Sequence, residues 1–224
     1  MANWYPLLLK LEGRKCVVFG GGAVAQRKAG GLLETGADVL VVSPRLTPEL
    51  LEWSRRGRLR WTAREAEESD LDGAALAFAA TDRPDLNRRL AEAAAGRGIP
   101  ANVADDGESG DFIVPAVLRR GGLVLTASAS GAGPALPVRI IGELAERYGH
   151  DYNENVEILR TIRRIVKSSV ADPAERRALL GAAVTDEALA EWRAASRLDD
   201  ADGLVARLRQ LAKRTEGTDT SCGT

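Results

Sequence analysis

The chain has 224 residues, with 31 Lys and Arg against 32 Asp and Glu and a formal net charge of −1. That length buries a substantial core and suits one large domain or two small ones, of which two is the preferred reading, and the balanced charge leaves no electrostatic footprint for nucleic acid. No apolar segment is long enough to span a membrane, and Met1 to Leu9 has too short an apolar run and no basic n-region for a signal peptide, so a cytoplasmic setting is expected, with small molecules or protein as partners. Cys16 and Cys222, one in an apolar run and one in a polar tail, match neither a disulfide framework nor a zinc-ligand spacing, and no metal site is expected.

Leu7 to Leu11 predicts a short edge strand or packed arm. The stretch from Lys15 to Thr35, KCVVFGGGAVAQRKAGGLLET, then carries most of the early information. Cys16 to Phe19 reads as a buried parallel strand and Val24 to Glu34 as a helix stopped by Gly36. Between them Gly20-x-Gly22-x-x-Ala25 has the dinucleotide-binding spacing, with alanine as the permitted third residue. Gly20 suits the tight turn, Gly22 the approach of backbone amides to a pyrophosphate, and Ala25 close helix–strand packing, while the helix N-terminus favours negative charge. Gly20, Gly21, Gly22, Ala23, Val24 and Ala25 are therefore candidate cofactor residues.

Ala37 to Ser43 predicts a second strand, and Thr47-Pro48 gives an N-cap and an N1 proline for a helix to about Arg55. The strand ends at Ser43 where many NAD-binding folds carry an acidic residue for the ribose hydroxyls. Ser43 can hydrogen-bond there, whereas Arg45 suits a 2′-phosphate, so this stretch leaves NAD and NADP both open. Leu59 to Trp61 is a weak strand, and acidic Glu65 to Asp72 reads as solvated surface. Leu76 to Ala80 is a buried strand ending at Thr81-Asp82, before a helix from Pro84 to about Ala95. Small residues at a strand's C-terminal end face the ligand edge of an open α/β sheet, which makes Thr81 and Asp82 cofactor-side candidates, although Asp82 reads equally as a cap. Asn87 is a weaker candidate inside that helix. Ile99 to Ala104 is a short strand that ends at Asp105-Asp106.

After Gly107 the pattern changes. Phe112 to Leu118 and Leu123 to Ser128, separated by Arg119-Arg120-Gly121-Gly122, predict an antiparallel hairpin. Ser130 to Pro134 is a small-residue loop, and Ala135 to Tyr148 has helical spacing. Further helices are expected over Asn153–Val170, Pro173–Ala182, Asp186–Leu198 and Asp202–Lys213. The fold class is thus α/β: a Rossmann-type parallel sheet over residues 1–110, a hairpin region over 111–149, a small all-helical domain over 150–214 and a disordered tail over 215–224. His150, the only histidine, reads as a helix-end residue at a domain junction.

Taken in order, Gly20-Gly21-Gly22 with Val24-Ala25 and Arg27-Lys28, Ala79-Ala80-Thr81-Asp82, Asn102-Val103-Ala104-Asp105, Phe112 to Ala116, and Ser128 to Gly131 before Gly133-Pro134 resemble the precorrin-2 dehydrogenase family of the siroheme-synthase N-terminal type. The resemblance covers nearly the whole chain. It implies an NAD-binding Rossmann domain, a hairpin region that forms a homodimer, and NAD-dependent oxidation of precorrin-2 to sirohydrochlorin. Some family members also insert iron or cobalt, and some carry a methyltransferase domain, which this chain is expected to lack. Asp105 matches the aspartate that the family places at its active site, for dehydrogenation, metal insertion or both; by itself it reads as a turn carboxylate, with Asp106 a lesser alternative.

A tetrapyrrole with eight carboxylates calls for cations, hydroxyls and backbone amides. Arg119, Arg139, Ser128, Ser130 and Gly131 are the substrate-side candidates, and Arg120, Arg163, Arg164 and Lys167 are further available cations. The competing class is a non-catalytic dinucleotide-sensing Rossmann regulator. It shares the glycine turn but has no use for the later Asn-Val-x-Asp and Phe-Ile-x-Pro elements.

Overall fold

The computed structural model describes residues 4–104, 110–129, 133–194 and 200–219. The chain divides into two compact units, Met1–Val114 and Pro115–Thr224. Among the described residues, no helix is long and apolar enough to cross a membrane.

The first unit is built on five parallel strands, β1 (Lys15–Phe19), β2 (Asp38–Val42), β3 (Arg60–Thr62), β4 (Leu76–Ala79) and β5 (Ala101–Val103), in the order β3-β2-β1-β4-β5. Helices α1 (Ala23–Leu33), α2 (Pro48–Arg55) and α3 (Pro84–Ala95) alternate with them. The near-continuous apolar runs of β1, β2 and β4 arise because helices cover both sheet faces. Cys16, Val18, Val39, Val41 and Phe78 pack with Ala25, Ala29 and Leu32 of α1 and Leu50 of α2. The alternate residues Val17, Phe19, Leu40, Val42 and Ala77 pack with Leu86, Leu90 and Ala94 of α3. Burial also pushes the Cys16 thiol up to about 11, against the smaller opposing effect of Arg14, so Cys16 is a neutral core side chain.

Local signals explain the helix ends. Thr47 caps α2, its hydroxyl accepting the Leu50 N–H at 3.3 Å, with Pro48 following. Helix α1 contains a Gly30-Gly31 pair, which lowers helix propensity. The Trp53 ring explains Gly30, because a Cβ there would stand 3.3 Å from it, while a Cβ at Gly31 would meet open space.

Two local expectations are corrected. Leu7 to Leu11 forms no strand; Leu7, Leu8 and Leu9 are exposed and only Leu11 is buried. The acidic Glu65–Asp72 stretch is not simply solvated: a 3-10 turn over Glu68–Leu71 buries Asp70 and Leu71. Lys15 Nζ donates to the carbonyls of Asp70 and Asp72 at 2.8 and 2.7 Å, tying this turn to β1.

In the second unit, β6 (Ala116–Arg120) and β7 (Leu123–Ala127) pair antiparallel, followed by α4 (Ala135–Arg147). The hairpin starts later than its apolar sequence suggests, because Asp111 and Phe112 bond to β5 instead. Helices α5 (Tyr152–Ser169), α6 (Pro173–Ala182), α7 (Asp186–Ala194) and α8 (Ala201–Asp219) enclose a core of Ile162, Val166, Leu179, Trp192, Leu208 and their neighbours. Helix α8 continues through residues 215–219 of the expected tail, whose remainder lies outside the described residues.

Asp70 supplies a test of the first unit. Its carboxylate accepts from Arg64 at 2.7 and 2.9 Å and from the Glu67 N–H at 2.9 Å. Burial alone would raise its pKa, but the Arg64 and Glu67 hydrogen bonds and the charges of Arg64 and Lys15 hold it below the usual value. A depressed carboxylate stabilises the fold above its unfolded pKa and loses that contribution as pH falls through the folded one. Asp70→Asn should cost about 1–3 kcal/mol at neutral pH. In urea titrations the difference from wild type should shrink below about pH 4; a constant difference would remove the charge from the explanation.

Candidate functional site

The turn between β1 and α1 is held from both sides. Gly20 donates its N–H to Val42 O at 3.0 Å, and Gly21 O accepts the Thr47 N–H at 2.9 Å. Gly20 has φ +112, and a Cβ there would overlap the Ala80 carbonyl, with Ala80 C 2.7 Å away. A Cβ on Gly21 would overlap Arg45 O and lie 2.8 Å from Ser43 Oγ. At Gly22 the added atom would meet nothing within 4 Å. The first two glycines thus let protein backbone pass close by, and the third faces open space at the N-terminus of α1.

That open end is chemically unsatisfied. Gly22 is the N-cap of α1 and has no side chain to cap it. The leading N–H groups of a helix have no intrahelical acceptors, and together with the helix dipole they favour an anion. Ala23 is exposed, Val24 half-buried and Ala25 fully buried against the sheet. An open glycine cradle with outward amides fits the pyrophosphate of a dinucleotide.

The surrounding loops locate the other cofactor candidates. Ser43 is buried, and its Oγ donates to Arg45 O at 2.8 Å, so its proton is committed to the loop that borders Gly21 while lone pairs remain. Arg45 is exposed. Thr81 lies beyond β4, where its N–H and hydroxyl donate to Asn87 Oδ1 at 3.1 and 2.6 Å and its carbonyl accepts from Asn87 Nδ2 at 3.1 Å. Asp82 is exposed and does not cap α3, whose N-cap is Arg83. Asn87 is therefore the clasp of the β4–α3 turn, and the signal for it is an amide at a helix position flanked by the buried Leu86 and Leu90.

Asp105 and Asp106 lie outside the described residues, as do Ser130 and Gly131. Residues on either side of Asp105 are held to the sheet. Ala104 N–H donates to Ala79 O at 2.8 Å, Asp111 N–H to Ala101 O at 2.8 Å, and Asn102 Nδ2 to Phe112 O at 2.9 Å. Phe112 meets Phe78 edge to face at 5.4 Å.

In the second unit, Arg119 sits opposite Val124 near the hairpin turn, while Ser128 follows Ala127, which pairs with Ala116 at the other end. Ser128 lies four residues beyond Val124, about 13 Å along the strand, so Arg119 and Ser128 do not share one small subsite. Arg139 is exposed on α4 and paired with Glu143 at 3.7 Å. Arg120 is engaged structurally, donating to Tyr148 O at 3.1 Å. Among the described residues, no group of three His, Cys, Asp or Glu side chains could hold a metal ion.

The fold and cradle define a nicotinamide-dinucleotide-binding protein of the Rossmann class. A family model described as "Putative NAD(P)-binding" matches residues 7–116. The chain is 37% identical over 175 residues to a siroheme synthase of Chromobacterium violaceum, covering 78% of this chain and 37% of that protein. It is 35% identical over 208 residues to siroheme synthase 3 of Aeromonas hydrophila, covering 91% and 44%. The chain thus spans about two fifths of the length of these curated relatives. A solved structure titled SirC, precorrin-2 dehydrogenase, superposes with a TM-score of 0.70 at 26% identity, over 92% of this chain and 100% of that one. The chain is thus similar to siroheme synthases over about two fifths of their length and to a precorrin-2 dehydrogenase over that protein's whole length.

The two glycine environments predict different phenotypes. Gly21→Ala should lower thermal stability and NADH affinity together, at a cost of about 1–3 kcal/mol from forced backbone movement. Gly22→Asp should keep the wild-type melting temperature and lose NADH binding, read by fluorescence titration. Unchanged NADH affinity in Gly22→Asp would remove the cradle from the cofactor site.

Proposed function

We propose that this protein oxidises precorrin-2 to sirohydrochlorin, with NAD as acceptor. The observation that carries the reading is the likeness to a precorrin-2 dehydrogenase over that protein's whole length. The cradle supplies its physical basis. A bound nicotinamide dinucleotide provides the hydride acceptor, and the protein chiefly positions it against the substrate and excludes competing reactions.

Gly20 and Gly21 shape the turn whose open amides, from Gly22 to Ala25, hold the pyrophosphate, Ser43 serves a ribose hydroxyl, and Thr81 and Asp82 border the nicotinamide side. Precorrin-2 loses a hydride to NAD⁺ and a proton to Asp105 or water; the bonding pair left by the proton becomes a double bond of the conjugated product. Conjugation makes the oxidation downhill, so a strong base is unnecessary. Arg119, Arg139, Ser128, Ser130 and Gly131 receive the substrate's carboxylates. The spread of Arg119, Ser128 and Arg139 from the hairpin to α4 suits several carboxylates on a wide macrocycle better than one small anion. NAD rather than NADP follows the family's cofactor, although exposed Arg45 keeps the comparison informative.

A second copy of the chain completes the assembly in this reading. Helix α4 buries only Pro137, and Leu136, Val138 and Val117 remain 41%, 62% and 38% exposed. Such an apolar surface on one short helix and hairpin supports a homodimer.

Adding precorrin-2 and NAD should produce sirohydrochlorin absorbance and NADH in equal amounts, with kcat/KM higher for NAD than for NADP. Asp105→Ala should reduce kcat at least tenfold with NADH affinity unchanged. Tight NAD binding without conversion would instead identify a dinucleotide sensor. For the assembly, Val138→Asp should convert a dimer to a monomer by light scattering; a monomeric wild type at micromolar concentration would refute it.

A further inference from the structure

Helix α5, in the second unit, carries a strip of positive charge. Arg160, Arg163, Arg164 and Lys167 are exposed at helical spacings of three, four and seven residues and line one shallow groove with Ser168. Arg160 is paired with Glu157. Arg163, Arg164 and Lys167 have no acidic partner among the described residues. The Ser168 hydroxyl donates to Ile165 O at 2.9 Å, so the groove's polarity is almost wholly cationic. The macrodipole favours a cation in the last turn of a helix. One charge meets that need, and three unneutralised charges within two turns repel one another. In a chain of net charge −1 the strip is a local concentration rather than a share of general basicity.

We propose that this strip is an electrostatic capture site for the carboxylate rim of the tetrapyrrole. The inference rests on the proposed substrate. From Arg160 to Lys167 the strip is about 10 Å long by the helical rise. A nucleic-acid interface neutralises a longer series of phosphates over a larger surface. A stable protein interface needs apolar anchors, and none of the exposed large hydrophobic residues lies on α5. A short cationic groove without such anchors suits a compact polyanion that binds rapidly and is held loosely. Opposite charges at this range raise encounter rates by roughly tenfold to a thousandfold at low ionic strength. Salt screens the effect, because the Debye length is about 10 Å at 0.1 M.

The experiment compares wild type with Arg163→Gln/Arg164→Gln/Lys167→Gln and with a charge-matched control, Arg55→Gln/Arg88→Gln/Arg89→Gln, on α2 and α3. At low salt, the α5 variant should show about tenfold lower kcat/KM for precorrin-2, with kcat and NADH affinity retained. The control should match wild type, and the difference should close as salt is raised. Binding of uroporphyrin, an octacarboxylate porphyrin, should weaken in parallel by fluorescence titration. This arm reads the strip even if wild type fails to oxidise precorrin-2, so failure of the activity and failure of the strip are distinguishable. Equal uroporphyrin affinity in wild type and the α5 variant at low salt would overturn the proposal, as would an equal loss in the control. Preferential binding of a short DNA duplex over uroporphyrin would overturn it in favour of a nucleic-acid surface.

Discussion

The first unit depends on the closeness with which three backbone segments meet at the β1–α1 turn. Gly20 passes against the Ala80 carbonyl and Gly21 against that of Arg45, leaving no room for a Cβ at either place. This contact brings the ends of β1, β2 and β4 to one edge of the sheet. The same closeness leaves Gly22 facing outward with the helix amides behind it. The anion cradle is what remains of the turn after its inner side has been filled by protein.

Each bordering loop is then fixed by polar groups that also limit what it can offer a ligand. Ser43 spends its proton on Arg45 O, and Thr81 is clasped by Asn87 through three hydrogen bonds. These bonds restrict loop motion beside the cradle, which lowers the ordering cost of binding. The first unit thus offers a cradle already fixed in position by its own loops.

The α/β architecture was legible because continuous apolar runs, small turn residues and helix caps agreed. Pro48 and Pro84 marked helix starts, and the runs in β1, β2 and β4 required cover on both faces. Long-range pairings were not legible. Nothing local in Glu65–Asp72 announces that Arg64 and Lys15 will draw Asp70 inward, and the Leu7–Leu9 run has the composition of a strand but acquires no neighbouring strand. At the cradle, spacing revealed Gly20 and Gly22, but the need for Gly21 arises from the Arg45 carbonyl, which the chain reaches only after β2. Asn87 was similarly obscure, since its partners lie in a turn before its own helix.

The Gly30-Gly31 pair in α1 bears on how the cradle comes into being. Two glycines in the middle of an eleven-residue helix make it a poor helix in isolation, and Gly30 is rewarded only once Trp53 of α2 is in place. The order of the amides at the cradle therefore depends on packing of α1 against the sheet and α2 more than on intrinsic helix propensity. The anion cradle is in this sense a property of the assembled first unit rather than of the β1–α1 segment alone.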